Sequence, residues 1–130
     1  MKVEERKKLH LGEYPTPLEY MSNLTKKYGK GKLYIKRDDI AGPAFGGNKT
    51  RKLEYIMQEA VEEGYTAMLT VGGPQTNHGK TTVAAAVKLG LKPILVLGGK
   101  APDYLSGNLT LDAMMGADIV FAGDDMPGAV

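Results

Sequence analysis

Three short apolar runs, each preceded by a helix-period segment and a glycine, constrain this chain most. Ala67-Met68-Leu69-Thr70-Val71, Pro93 to Leu97 and Ile119-Val120-Phe121 are almost continuously apolar rather than alternating. Strands of that kind sit inside parallel sheets. Before each lies a segment of helical period. One carries Leu53, Ile56, Met57, Ala60 and Val61 and stops at Gly64; Asn48 stands where its cap would be. A second runs from Thr76 or Asn77 to Leu89 and stops at Gly90. A third, headed by Ser106 as cap, carries Leu109, Leu111, Ala113 and Met114 and ends at Gly116. Leu33 to Arg37 reads as a further strand before them. The order β-α-β-α-β-α-β with short connections predicts an α/β fold: an open, twisted parallel sheet with helices on both faces and right-handed crossovers. Residues 122–130 read as a connection leading into another helix.

At 130 residues the chain suffices for one modest domain. Its net charge of +2, from 17 basic and 15 acidic residues, is too balanced to indicate nucleic acid. The densest basic cluster, Lys26, Lys27, Lys30 and Lys32, lacks interleaved stacking aromatics and reads as a solvated face. There is no cysteine, and His10 and His78 stand far apart without ligand partners, so no metal site is expected. Met1 to Lys8 has no apolar signal core, and no apolar run approaches a membrane span; a cytoplasmic protein is expected.

Two polar, glycine-rich loops fall at strand ends, where open parallel sheets bind ligands. The first is Phe45-Gly46-Gly47-Asn48-Lys49-Thr50-Arg51-Lys52-Leu53-Glu54 and places Lys49 at the mouth of a helix. A lysine that must reach a carbonyl has to be aimed and partly desolvated, and such an amine can form a Schiff base. The second is Gly72-Gly73-Pro74-Gln75-Thr76-Asn77-His78-Gly79. The helix start there favours an anion, and Thr76, Asn77 and His78 add a hydroxyl, an amide and an imidazole. An amine, an anion clamp and an amide suit an amino acid held on an electron-sink cofactor. Blander readings stand beside these: Lys49 as a solvated first-turn lysine, Asn48 and Thr76 as simple caps, His78 as a core histidine, and Met57, Met68, Met114 and Met115 as core filler. Gly79-Lys80-Thr81 matches the end of a phosphate loop, but the glycine that motif needs is Pro74. The dinucleotide fingerprint is absent.

Taken together these motifs resemble the N-terminal part of the pyridoxal-phosphate enzymes of the tryptophan-synthase-β fold type. Within them the chain is most similar to the D-cysteine desulfhydrase and 1-aminocyclopropane-1-carboxylate deaminase family. Tyr14-Pro15-Thr16-Pro17-Leu18 resembles the family's opening segment, and Lys36-Arg37-Asp38-Asp39 the strand before its lysine loop. Gly46-Gly47-Asn48-Lys49 with Arg51-Lys52-Leu53-Glu54 resembles its cofactor-lysine motif, and Gln75-Thr76-Asn77-His78 its Gln-Ser-Asn-His motif. Gly107-Asn108, Leu111-Asp112 and Gly116-Ala117 fit as well.

The resemblance implies that Lys49 binds the cofactor pyridoxal 5'-phosphate and later moves the substrate α-proton. It implies that Asn77 bonds the cofactor's phenolic oxygen, that Lys52 contacts its phosphate, and that Thr76, with Asn77 and His78, meets the substrate carboxylate. Thr76 replaces the family's serine, which is catalytic in the deaminase; its extra methyl bears on a cyclopropane substrate. The implied domain plan is residues 1–50 as a segment packing on the large cofactor domain and ending in the lysine loop. Residues 51–130 make most of the small α/β domain, and the C-terminal large domain is absent, so the two-domain fold is incomplete. The implied reaction is β-elimination of D-cysteine to pyruvate, sulfide and ammonia. The alternatives are deamination of 1-aminocyclopropane-1-carboxylate, or an inactive fragment or half of a split enzyme. The expected partners are a small amino acid and either a homo-oligomer or a complementing C-terminal polypeptide, without nucleic acid or membrane.

Overall fold

The computed structural model describes residues 6–123. Its elements are β1 (Leu18–Tyr20), α1 (Ser22–Tyr28), β2 (Tyr34–Lys36), α2 (Lys49–Glu62), β3 (Ala67–Gly72), α3 (Asn77–Lys88), β4 (Lys92–Leu97), α4 (Asn108–Met114) and β5 (Asp118–Phe121). The expected helices and the last three strands fall where periodicity and glycine stops place them. The expected onward connection at 122–130 lies mostly outside the described residues.

β3, β4 and β5 form a parallel sheet in that order, with Leu69 opposite Ile94 and Val71 opposite Val96, itself opposite Val120. Two successive crossovers of one hand, stepping the same way across a sheet, put both connecting helices on one face. The buried side chains Pro93, Leu95 and Leu97 point to that face, and α3 and α4 pack together over it. Leu69, Val71 and Val120 lie on the opposite face and are exposed. Among the described residues, the expected helix cover is therefore met on one face.

The strand expected at 33–37 does not join this sheet. Its core, β2, pairs antiparallel with β1, and every residue of both is exposed. The short α1 between them returns the chain beside its own start, and the pair lacks the buried apolar face that defines β4. Neither β1 nor α1 carries a sequence signal strong enough to be foreseen.

The core has two parts that meet at α3. Leu11, Leu53, Met57, Ala85, Ala86 and Leu91 fill the space between α2 and α3. Val83, Leu95, Leu97 and Leu109 fill that between α3, the sheet and α4. Thr81 to Ala86 are all buried, so α3 is enclosed on several sides and small residues let its neighbours approach. The Thr81 and Thr82 hydroxyls donate back to the Asn77 and His78 carbonyls, both at 2.8 Å, which satisfies them without water. Met57 is core, Met68 and Met115 pack against it in part, and Met114 is exposed, unlike a core residue.

Two expected caps differ. Asn48 precedes α2 in helical conformation and its side chain caps nothing. Ser106 does not cap α4; Gly107 holds that position, and the bonding comes from Gln75 on another loop.

Candidate functional site

The first loop is built backward from α2. Thr50 is buried and donates its hydroxyl to the Ala41 carbonyl at 2.7 Å. The Gly47 N–H donates to the Asp38 carbonyl at 2.8 Å. Arg51 grips the Asp38 carboxylate with two nitrogens, at 2.8 and 3.0 Å, and lies over the Tyr14 ring, 4.4 Å from its centre. Thr16 adds a hydroxyl bond to the same carboxylate at 2.8 Å. The Arg51 and Thr16 bonds hold the Asp38 carboxyl down to about 2. The motif residues Lys36-Arg37-Asp38-Asp39 are thus scaffold: Arg37 pairs with Glu19 and Asp39, and Lys36 donates to the Thr16 carbonyl.

Between these anchors the backbone turns left-handed at four successive residues. Ala44, Phe45, Gly46 and Gly47 have φ of 51°, 63°, 58° and 119°. Two of the four are not glycine, a strained arrangement of the kind that persists only where surroundings impose it. At Gly46 a side chain has no room, since a Cβ would come within 2.6 Å of the Ala41 nitrogen. This turn delivers the chain into α2 with Lys49 as its first residue, half-buried, and Lys52 exposed one turn later.

Glu54 secures the other side of α2. It is buried, and its carboxylate accepts from the Leu11 and Gly12 N–H groups at 3.1 and 3.3 Å and from Lys8 at 2.6 Å. The motif around Glu54 gives no sign of this role, because its partners lie more than forty positions away and leave no local trace.

The second loop leaves β3 at Gly72. Thr76 is extended, with φ −60° and ψ 120°, and its hydroxyl oxygen accepts from the Gly79 N–H at 3.1 Å. Thr76 is thus the cap expected from sequence. The Lys80 N–H goes to the Thr76 carbonyl, so the Asn77 and His78 N–H groups are left at the open end of α3. Lys80 and Thr81 are buried inside α3, where neither can wrap a phosphate in a phosphate loop.

α2 packs on α3, and Lys80 Nζ lies 5.9 Å from the centre of the Phe45 ring, which puts the lysine loop beside the first turn of α3. Burial, then the nearby ammonium groups of Lys52 and Lys49, pushes the His78 imidazole below its ordinary value, so it is neutral at pH 7. Lys49, Lys52, Thr76, Asn77 and His78 therefore all sit on the α2 and α3 starts, with Lys49 and Lys52 in electrostatic reach of His78. A surface hollow of about 480 Å³ lined by Tyr55, Ile56 and Glu59 uses none of them. Asn108, at the start of α4, joins from a third element through Gln75 and Asn77. No helix among the described residues is long and apolar enough to cross a membrane.

Residues 9–130 match the family described as pyridoxal-phosphate dependent enzyme. The D-cysteine desulfhydrase of Salmonella paratyphi C is 45% identical over 109 residues, covering 80% of this chain and 33% of that protein. The 1-aminocyclopropane-1-carboxylate deaminase of Burkholderia lata is 42% identical over 117 residues, covering 85% and 35%. A crystal structure of a 1-aminocyclopropane-1-carboxylate deaminase homologue superposes with a TM-score of 0.83 at 41% identity, covering 92% of this chain and 36% of that one. The chain spans about a third of the length of these relatives. This chain belongs to the pyridoxal-phosphate dependent enzymes, and the relatives it is similar to include proteins named for D-cysteine desulfhydration and 1-aminocyclopropane-1-carboxylate deamination.

Proposed function

We propose that this chain carries the lysine side of a pyridoxal-phosphate lyase for small amino acids, acting by β-elimination on D-cysteine. The observation that supports this reading is the packing of α2 on α3, with Lys80 Nζ 5.9 Å from the centre of the Phe45 ring, which sets the two loops beside each other as one donor set. That set fits the cofactor: an amine for its aldehyde, an amide for its phenolic oxygen and a cation for its phosphate. When bound, the cofactor supplies an electron sink for charge developing at the substrate α-carbon.

The protein groups divide the remaining work. Lys49 Nζ would hold the cofactor and is the base placed to take the substrate α-proton. Thr76 Oγ1 accepts the Gly79 N–H with a lone pair, which leaves its own proton for the substrate carboxylate. The Asn77 and His78 N–H groups and the positive end of α3 add to that anion site. A neutral His78 donates from one nitrogen without adding charge to a site that already holds two lysines. Lys52 meets the phosphate.

In the domain plan proposed, residues 1–50 pack on a large cofactor domain and 51–130 form most of the small one. The rest, the other two thirds of the relatives' length, comes from further chain or from a complementing polypeptide. Deamination of 1-aminocyclopropane-1-carboxylate is the second reading; it is supported by relatives of that name at nearly equal identity. Pyridoxal phosphate added to the purified chain should give a visible band, and borohydride should fix the adduct at Lys49; Lys49→Ala should give neither. A chain that stays colourless alone and with the C-terminal two thirds of a relative added would sink the proposal. With colour established, release of sulfide from D-cysteine against 2-oxobutyrate from the cyclopropane amino acid separates the two readings.

A further inference from the structure

A side-chain amide has nearly equivalent oxygen and nitrogen ends and can be turned over at little cost, so its direction must be imposed by neighbours. Around the second loop, neighbours impose it in a chain. Gln75 Nε2 donates to the Ser106 carbonyl at 3.0 Å, and a carbonyl can only accept, so the Gln75 amide is fixed. Its Oε1 then accepts the Asn108 N–H at 2.9 Å. Asn108 Nδ2 donates to the Gln75 backbone carbonyl at 2.9 Å, which fixes the Asn108 amide by the same logic. That nitrogen also donates to Asn77 at 3.0 Å, so the end of Asn77 facing it must be the oxygen. Asn77 Nδ2 is left facing away, with no partner among the described residues.

The arrangement is built, not incidental. Gly107 has φ +56°, and a Cβ there would stand 2.4 Å from Gln75 Oε1. Only glycine lets the α4 start come this close to Gln75.

We propose that Asn108 is a positioning residue that holds the Asn77 amide oxygen inward, so that position 77 presents a hydrogen-bond donor, and not an acceptor, to the cofactor's ring oxygen. The inference rests on the function proposed above for Asn77. It assigns to Asn108 and Gln75 the choice of which end of Asn77 the ligand meets. A donor there stabilises the negatively charged oxygen; an acceptor repels it.

Asn108→Asp is the direct test. Its carboxylate accepts only, so it loses the Gln75 carbonyl and turns the Asn77 nitrogen inward. In the chain loaded with pyridoxal phosphate, the pH midpoint of the bound-cofactor band should rise by about one unit and cofactor affinity fall about tenfold. Asn108→Ser, which removes the link without a charge, should move both in the same direction and less. Midpoints and affinities at wild-type values in variants with wild-type circular dichroism would overturn the proposal. A second measurement needs neither variant nor cofactor. By NMR of the unloaded chain, the Asn108 side-chain amide protons should exchange roughly tenfold more slowly than those of Asn77; equal rates would overturn the orientation. Failure of the wild-type chain to take up the cofactor strikes the proposed function, and the exchange comparison still decides the orientation.

Discussion

The two loops that lead into α2 and α3 are held by opposite means. The lysine loop is clamped by charge: Asp38 on Arg51, Arg37 on Asp39 and Glu19, around a backbone left-handed at four residues. The loop before α3 makes no ion pair among the described residues; Thr76 caps its helix and neutral amides of Gln75, Asn77 and Asn108 bond one another. The difference follows from what each must do. A strained turn relaxes unless firm contacts outside it hold its ends, and ion pairs with Thr50 and Gly47 as inner ties do that. A turn that presents oriented donors to an anion is better built from neutral groups, since a fixed charge there would compete with the ligand.

The largest way to break this contrast lies beneath the lysine loop. Glu54→Ala should destabilise the chain by roughly 2–4 kcal/mol in urea unfolding, because two backbone N–H groups and Lys8 lose a buried acceptor. Glu54→Gln, which keeps an acceptor, should cost less. An Ala variant as stable as wild type would remove the anchoring role.

Next comes a group below the amide loop. Asp112 is fully buried, neither of its oxygens has a partner among the described residues, and burial raises its carboxyl to about 6, with Lys80 opposing. A raised acid binds its proton more tightly in the folded state, so stability falls as pH rises from about 4 to about 6 and is then level. Asp112→Asn should flatten that slope and leave the variant about 1–2 kcal/mol more stable at pH 7. A wild-type stability that climbs between pH 4 and 6 with an unchanged slope in the variant would contradict it.

The contrast itself is sharpened by acid. Asp38 is held below its ordinary value, so its contribution is present above about pH 4 and lost as pH falls through about 2. Protection of the Gly47 N–H should decline across that window, and at pH 7 in Asp38→Asn, while the Asn108 side-chain amide keeps its protection. Parallel loss in both loops would show them to be one unit. The smallest effect is backbone relief: Ala44→Gly should stabilise by about 0.5–1 kcal/mol, as glycine accepts the left-handed conformation. A loss of stability would mean that Ala44 is not strained.

Much of the fold was legible. Gly64, Gly90 and Gly116 mark helix ends, and the apolar runs mark β3, β4 and β5. Thr76 was legible as a cap because its partner is three residues away. Ser106 misled for the same reason: a good cap residue stands near the start of α4, but Gln75, thirty-three positions from Asn108, supplies the bond. The resemblance named Lys49, Asn77 and Thr76 as site residues; it assigned nothing to Gln75 or Asn108 beyond membership of a motif.

Sequence alone determined what reaches across a few residues: which segments are helix or strand, where they stop, and the placing of an amine and a polar helix start at strand ends. Only the tertiary structure decided what spans long separations: β2 beside β1 instead of in the parallel sheet, both crossover helices on one face, and α4 turned so that Asn108 meets Asn77. The physical reason is range. Caps and periodicity act within one helical turn and leave a local signature, whereas the pairing of distant polar groups depends on how buried surfaces pack, which no short window records.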